Sequence, residues 1–203
     1  MISKARKVAD YKQLTKEMPT LRYVDPERVY INLQSDRCNT YTLDVKKGDQ
    51  VKLGQILGER DGGFFKQPIY ATVSGTIEGT TKKTHPTGIE VDCVIIRNDF
   101  KDEYHSTITD RPESVIENMS KEEMVDLIRQ TATVGLGGSG FPSYIKLDTD
   151  KDIHTVVINA VECEPYLSSD YRLIKDSPEE IFRGLKYIMQ AVDAKKGVIA
   201  VKK

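Results

Sequence analysis

Apolar and polar positions along this chain change their period partway through. Between Arg28 and about Ile96 the apolar residues fall in short alternating runs: Val29-Tyr30-Ile31, Tyr41-Thr42-Leu43-Asp44-Val45, Ile69-Tyr70-Ala71-Thr72-Val73 and Val91–Ile96. Turn signals at Lys47-Gly48-Asp49, Leu53-Gly54-Gln55, Asp61-Gly62-Gly63 and Ser74-Gly75 separate them. Runs of this length and spacing predict a small all-β barrel or sandwich. Beyond about Asp110 the period lengthens. Ser120-Lys121-Glu122-Glu123 has the form of a capping box, and Met124, Leu127 and Ile128 follow on one helical face. Ile153–Ile158 reads as a buried strand. Ser177-Pro178-Glu179-Glu180 reads as a helix start with a polar N-cap and proline at the first helical position. Ile181, Leu185, Ile188 and Met189 supply that helix's apolar stripe, and Gly197–Val201 reads as a further strand. Strand, helix and strand in that order predict a right-handed parallel βαβ unit. Two strands fall short of a full sheet, so the second half is expected to open a larger α/β domain of a longer protein. Residues 1–26 are polar, punctuated by Pro19 and Pro26, and read as an arm with a short helix around Tyr11–Glu17.

Composition narrows the function classes. The 203 residues include 30 Lys and Arg against 31 Asp and Glu, a net charge of −1. That balance argues against a nucleic-acid footprint or attraction to an anionic membrane. No apolar run approaches the roughly 18 residues of a spanning helix, and no apolar segment follows the charged N-terminus as a secretory signal requires. Cys38, Cys93 and Cys163 are odd in number and widely spaced, so neither a disulfide framework nor a C-x-x-C metal signature is expected. His85, His105 and His154 lie outside the motifs and read as surface residues. A cytoplasmic location is expected.

Three segments carry candidate chemistry. Val45–Gly58, followed by Ala71-Thr72-Val73-Ser74-Gly75-Thr76-Ile77, places glycines at hairpin positions with Val51, Ile56 and Leu57 pointing inward. This stretch resembles the biotinyl/lipoyl barrel-sandwich fold. The hairpin Arg60–Pro68 lacks the Met-Lys-Met or Asp-Lys-Ala context of carrier domains, so Lys66 reads as a solvated lysine and the barrel as structural. The second segment, Gly135-Leu136-Gly137-Gly138-Ser139-Gly140-Phe141-Pro142, lets backbone amides approach an anion or a flat ring. It satisfies G-x-G-x-x-G literally. The strand that a dinucleotide fingerprint requires before it is absent, which disfavours a nicotinamide-fold dehydrogenase. A glycine loop without a ligand is the plain alternative. The third segment, Asn159-Ala160-Val161-Glu162-Cys163-Glu164-Pro165, follows the Ile153–Ile158 strand. Ligands of open α/β sheets sit off that edge. Glu162 and Glu164, at i and i+2, put two carboxylates on one side of an extended loop; a solvated acidic surface is the alternative.

Together these motifs resemble a known family. Residues 134–190 are similar to the flavin-binding domain shared by the respiratory complex I flavoprotein and the RnfC component of Rnf electron-transport complexes. The carriers are Gly135–Pro142 running on to Ser143-Tyr144-Ile145-Lys146, Asn159–Pro165, and Asp170-Tyr171-Arg172. Cys163 between the glutamates, Tyr166, and a barrel-sandwich segment ahead of the flavin domain favour the Rnf branch. The resemblance implies a multidomain α+β chain: an arm over 1–26, a biotinyl/lipoyl-like β barrel-sandwich hybrid over 27–110, and the start of an α/β FMN-binding domain, βαβ with a parallel sheet, over 111–203.

The family accepts a hydride from NADH at FMN and passes electrons singly to iron–sulfur clusters, here expected only in the C-terminal region that family members add. By that resemblance the amides of Gly135, Gly137, Gly138 and Gly140 line the flavin cleft, and Lys146 neutralises the FMN phosphate as a point charge. Asn159 and Glu162 hydrogen-bond the flavin, Glu164 orients the nicotinamide, and Phe141 stacks on an aromatic ring of NADH. Neither a protein general base nor a protein-bound metal is implied. Val161 replaces the aspartate of the complex I pattern. The implied partners are NADH and other subunits of a membrane electron-transport complex or of a soluble reductase, with the protein peripheral on the cytoplasmic side and no nucleic acid or direct membrane insertion. This stretch alone is expected to carry little flavin and to be inactive. An RnfC-like protein associated with proline reductase, and a docking module that has lost flavin binding, are the alternatives.

Overall fold

The computed structural model describes residues 8–21, 25–35, 38–64, 66–85, 88–135 and 140–202. Backbone proximity divides the chain into two compact units, Val24–Asp148 and a second made of Met1–Tyr23 with Thr149–Lys203.

The first unit carries seven strands: β1 (Arg28–Asn32), β2 (Thr40–Leu43), β3 (Gln50–Val51), β4 (Ile56–Asp61), β5 (Lys66–Tyr70), β6 (Gly75–Thr84) and β7 (Glu90–Asn98). They form two antiparallel sheets, ordered β1-β7-β6-β3 and β2-β4-β5. Alternation directs Ile77, Val94 and Ile96 of one sheet and Leu57 and Ile69 of the other into one core, joined by Leu33, Val51 and Ala71. Each large side chain so buried contributes about 1.5–3 kcal/mol of transfer free energy.

Several expectations are corrected here. Ile56 does not point inward: it is 53 % exposed, while its neighbour Leu57 is fully buried, as successive residues of a strand must face opposite ways. The run Ile69–Val73 is strand only to Tyr70, and β5 instead starts at Lys66. Gly75 begins the longest strand rather than completing a turn. At that position a Cβ would lie 2.0 Å from the Arg97 carbonyl oxygen, so only glycine allows β6 to approach β7. The outer half of β6, Thr80–Thr84, pairs with β7 but buries little, which explains why no apolar alternation announces it.

The same unit contains α1 (Glu113–Glu117), α2 (Lys121–Gln130) and α3 (Ser143–Leu147). The Ser120 capping box forms as expected: Ser120 Oγ accepts the Glu123 N–H at 3.2 Å and Glu123 Oε2 accepts the Ser120 N–H at 2.7 Å. Met124 and Val125 are buried, and the Tyr70 hydroxyl donates to the Gln130 carbonyl, tying the end of α2 to β5.

The second unit carries β8 (Thr155–Ala160), α4 (Ser169–Asp176), α5 (Pro178–Ala191) and β9 (Lys196–Val201). The two strands are parallel, in register Val157↔Val198 and Asn159↔Ala200. The first of them begins at Thr155 rather than Ile153. Pro178 opens α5 as expected, but the Ser177 side chain makes no capping bond, because α4 runs directly into that residue. Helix α4 has no counterpart in the expectations. The segment around Tyr11–Glu17 forms one 3-10 turn, Lys12–Leu14, preceded by Tyr11 at a left-handed φ of 49°. No helix among the described residues is long and apolar enough to cross a membrane.

Candidate functional site

In the first unit the glycine segment is closed at its base by a short antiparallel neck. Val134 bridges Pro142, the Gly135 N–H donates to the Phe141 carbonyl at 2.9 Å, and the Ser143 N–H donates to the Thr133 carbonyl at 2.9 Å. The Gly135 amide therefore holds the loop shut. Gly140 has φ +54° with open space where a Cβ would stand, a conformation that favours glycine. Gly137 and Gly138 lie outside the described residues. Pro142 is buried, and α3 starts immediately after it, which puts Lys146 one turn along the helix. Lys146 is exposed, and its Nζ sits 5.5 Å from the centroid of the Phe141 ring, a cation–π contact. Phe141 and Lys146 thus share one face beside the loop neck.

In the second unit the Asn159 Oδ1 accepts the Val161 N–H at 3.1 Å, turning the chain at the carboxyl end of β8. Glu162 then folds back on the start of α4. Its Oε1 accepts the Ser169 hydroxyl and the Asp170 N–H, both at 3.0 Å, and its Oε2 accepts the Tyr171 N–H at 3.3 Å. The carboxylate satisfies donors that a helix N-terminus leaves open. Lys12 Nζ lies 4.0 Å from Glu162, whose side chain is only 7 % exposed. Burial acts to raise the Glu162 pKa. The Asp170 amide, the Ser169 hydroxyl, the Tyr171 amide and the Lys12 charge outweigh it and hold the carboxyl below its usual range. Glu164, two residues on, is exposed, so the i, i+2 spacing does not give two carboxylates in one environment.

The arm closes over this corner. Tyr11 stacks on Tyr166 with centroids 5.2 Å apart and planes 13° from parallel. The Tyr166 N–H donates to the Asp10 carbonyl at 2.7 Å, the Thr15 hydroxyl donates to the Tyr166 carbonyl at 2.7 Å, and Lys12 donates to the Leu167 carbonyl. Sequence reasoning missed Tyr11, Lys12, Thr15 and Ser169 as parts of the corner. The available signal was the Ser-Asp-Tyr-Arg helix start seven residues after Glu162; nothing local marks the arm residues.

These groups fit, in part, the flavin nucleotide that the sequence resemblance implies. Lys146 offers an exposed ammonium for a phosphate, and Asn159 an amide NH2 group with no partner among the described residues. Glu164 offers an exposed carboxylate. Glu162 is committed to α4 and builds the corner.

Two family models match the chain: the RnfC barrel sandwich hybrid domain over residues 3–101 and the Nuo51 FMN-binding domain over residues 128–203. The chain is 36 % identical over 192 residues, 94 % of its own length and 43 % of the relative's, to the C subunit of the Na(+)-translocating ferredoxin:NAD(+) oxidoreductase complex of Acetobacterium woodii. It is 31 % identical over 195 residues, 95 % of this chain and 42 % of the relative, to the C subunit of the proton-translocating ferredoxin:NAD(+) oxidoreductase complex of Clostridium ljungdahlii. The corresponding C subunit of the ion-translocating oxidoreductase complex of Haemophilus influenzae is 32 % identical over 175 residues, 85 % of this chain and 26 % of the relative. The chain therefore spans less than half the length of these curated relatives. With both domains matched in order along one chain, and relatives of this kind aligned across nearly all of it, this chain is RnfC-like, a barrel sandwich hybrid domain of the RnfC type followed by a stretch of the Nuo51 FMN-binding domain.

Proposed function

We propose that this chain forms the FMN- and NADH-binding input end of an Rnf-type electron-transport subunit, passing electrons towards iron–sulfur clusters outside these residues. The observation that carries the reading is the presence in one chain of Gly135–Lys146 and of Asn159–Pro165 at the carboxyl end of a parallel strand, within the stretch that matches the Nuo51 FMN-binding domain. Bound flavin would supply the conversion of a two-electron donor to one-electron steps. The protein's part is to bind and orient. Lys146 meets the phosphate, Gly140 keeps the loop free of a side chain there, and Phe141 offers a ring face to the nicotinamide or adenine. The Asn159 amide and the Glu164 carboxylate meet polar ring atoms, while Glu162 holds the corner by capping α4. Other subunits of a peripheral complex on the cytoplasmic side are the partners this reading implies.

Flavin fluorescence titration of the full chain tests it. FMN should bind saturably but weakly, and Lys146→Ala should weaken it roughly tenfold or more, as loss of a charged hydrogen bond does. No saturable FMN binding, or equal binding by Lys146→Ala, overturns the assignment. The commitment of Glu162 to its own backbone favours one second reading, a docking module without flavin, which the first of those outcomes would support.

A further inference from the structure

The loop that carries Glu164 is held by a segment 150 residues away. Between Cys163 and Leu167, the backbone's hydrogen bonds to other segments all end on the arm among the described residues. The Tyr166 N–H donates to the Asp10 carbonyl, and the Tyr166 and Leu167 carbonyls accept from the Thr15 hydroxyl and the Lys12 ammonium. Lys12 grips both flanks of Glu164: besides its bond to Leu167, its Nζ lies 4.0 Å from the Glu162 carboxylate, and its side chain is only 17 % exposed. Glu164 itself is exposed, and its carboxylate has no partner among the described residues. Its place therefore follows from the backbone on either side of it.

Backbone strain marks the same clasp. Tyr11, next to Lys12, and Tyr166, two residues past Glu164, both take a left-handed φ, 49° and 64°. A bulky residue enters that region at a cost and keeps it only where its surroundings over-determine it. Here the two rings stack on each other, so arm and loop each hold the other's turn. The stretch that matches the RnfC barrel sandwich hybrid domain starts at residue 3 and so includes the arm. The arm nevertheless packs in one unit with Thr149–Lys203, which lies inside the stretch matching the Nuo51 FMN-binding domain. Sequence similarity counts the arm with one domain, and its contacts count it with the other.

We infer that Lys12 is a positioning residue: by bridging Glu162 and Leu167 it fixes the loop between them and holds the Glu164 carboxylate where a bound ligand meets it. Lys12 acts through Glu164 and touches no ligand itself. Its effect on ligand binding rests on the flavin reading above, whereas its effect on the loop does not. An ammonium group suits the task, since its three donors serve a carbonyl and a carboxylate from one centre. Partial burial keeps water from competing for them.

Hydrogen exchange of the full chain without ligand tests the loop. In Lys12→Met the amides of Cys163, Glu164, Tyr166 and Leu167 should exchange about three- to tenfold faster, while β8 and α5 keep their protection. Lys12→Arg should restore most of it, and Lys16→Met, which removes an exposed charge from the same arm, should change nothing. Unchanged exchange in Lys12→Met, loosening that spreads through β8 and α5, failure of Lys12→Arg to restore protection, or equal loosening in Lys16→Met overturns the inference. FMN titration then follows the consequence for binding. Lys12→Met and Glu164→Gln should each weaken FMN about three- to tenfold, and the double variant should lose no more than either alone, because Lys12 acts through Glu164. An unchanged affinity in Lys12→Met, or losses that multiply, overturns the positioning role. If the wild-type chain binds no FMN, the proposed function falls and hydrogen exchange alone decides the role of Lys12. If FMN binds and responds to Lys146→Ala while Lys12→Met leaves the loop unchanged, the role of Lys12 falls and the proposed function stands.

Discussion

In the Val24–Asp148 unit two sheets bury their apolar residues against each other, and Leu57, Ile69, Ile77 and Ile96 are each at most 2 % exposed. In the unit built on Thr149–Lys203 only Leu185, Ala191, Val192 and Ala194 are buried apolar residues among those described, while Val157, Leu173, Phe182 and Val201 stay more than half exposed. The second unit compensates with directed polar contacts: Glu162 on the start of α4, the Tyr11–Tyr166 stack, and lysine–carboxylate pairs joining the arm to α4 and to Lys202, just after β9. Order in the barrel thus follows from burial, which is tolerant of surface change. Order at the acidic corner follows from a few oriented bonds, which is not.

The contrast is most sharply tested in the core. Leu57→Ala removes a fully buried side chain shared by both sheets and should cost about 2–5 kcal/mol in chemical denaturation. A loss under about 1 kcal/mol would mean that the two sheets do not depend on a common core.

Next in size is Glu162→Gln. The amide keeps one acceptor but loses the charge and the second, so the unit should lose roughly 1–3 kcal/mol. Hydrogen exchange at the Asp170 and Tyr171 amides should quicken while the barrel strands stay protected. The native pKa of Glu162 is depressed. Its contribution is therefore complete above the unfolded value of about 4.3 and disappears as pH falls through the lower native value. Glu162→Gln should flatten that part of the acid limb. An acid limb of unchanged slope would show that the carboxylate is not the cap that orders α4.

Legibility in the sequence divides along the same line. Wherever apolar period or a local capping pattern decides the outcome, the residues announce it: β1, β7, the Ser120 capping box, the apolar stripe of α5 and the parallel pairing of β8 with β9. Strands whose second face is solvated, such as the outer half of β6, carry no such period and pass unseen. The corner is less legible still. Asn159–Pro165 marks its place, but Glu162 finds its partners seven to nine residues on and 150 residues back, at Lys12. A short-range pattern cannot encode contacts of that separation. Nor does spacing separate Glu162 from Glu164; the difference lies in which of them the start of α4 reaches.

The smallest effect is expected where the barrel carries a charge network of its own. Lys66 stands after the β4–β5 hairpin turn, 3.1 Å from Glu59 and 3.6 Å from Asp61, with its side chain 59 % exposed. The Glu59 hydrogen bond, with the charges of Glu59 and Asp61, raises its pKa. By the count of its ion pairs Lys66 looks as well held as Lys12. Water screens both carboxylates, however, and no backbone donor depends on them for the geometry of a helix. Lys66→Gln should therefore leave the melting midpoint unchanged within the precision of a thermal scan, at low salt and at high. A drop matching that of Glu162→Gln would place the stability of the hairpin in its charges rather than in Leu57 and Ile69 beneath it, and the distinction between the two units would fail at its simplest point.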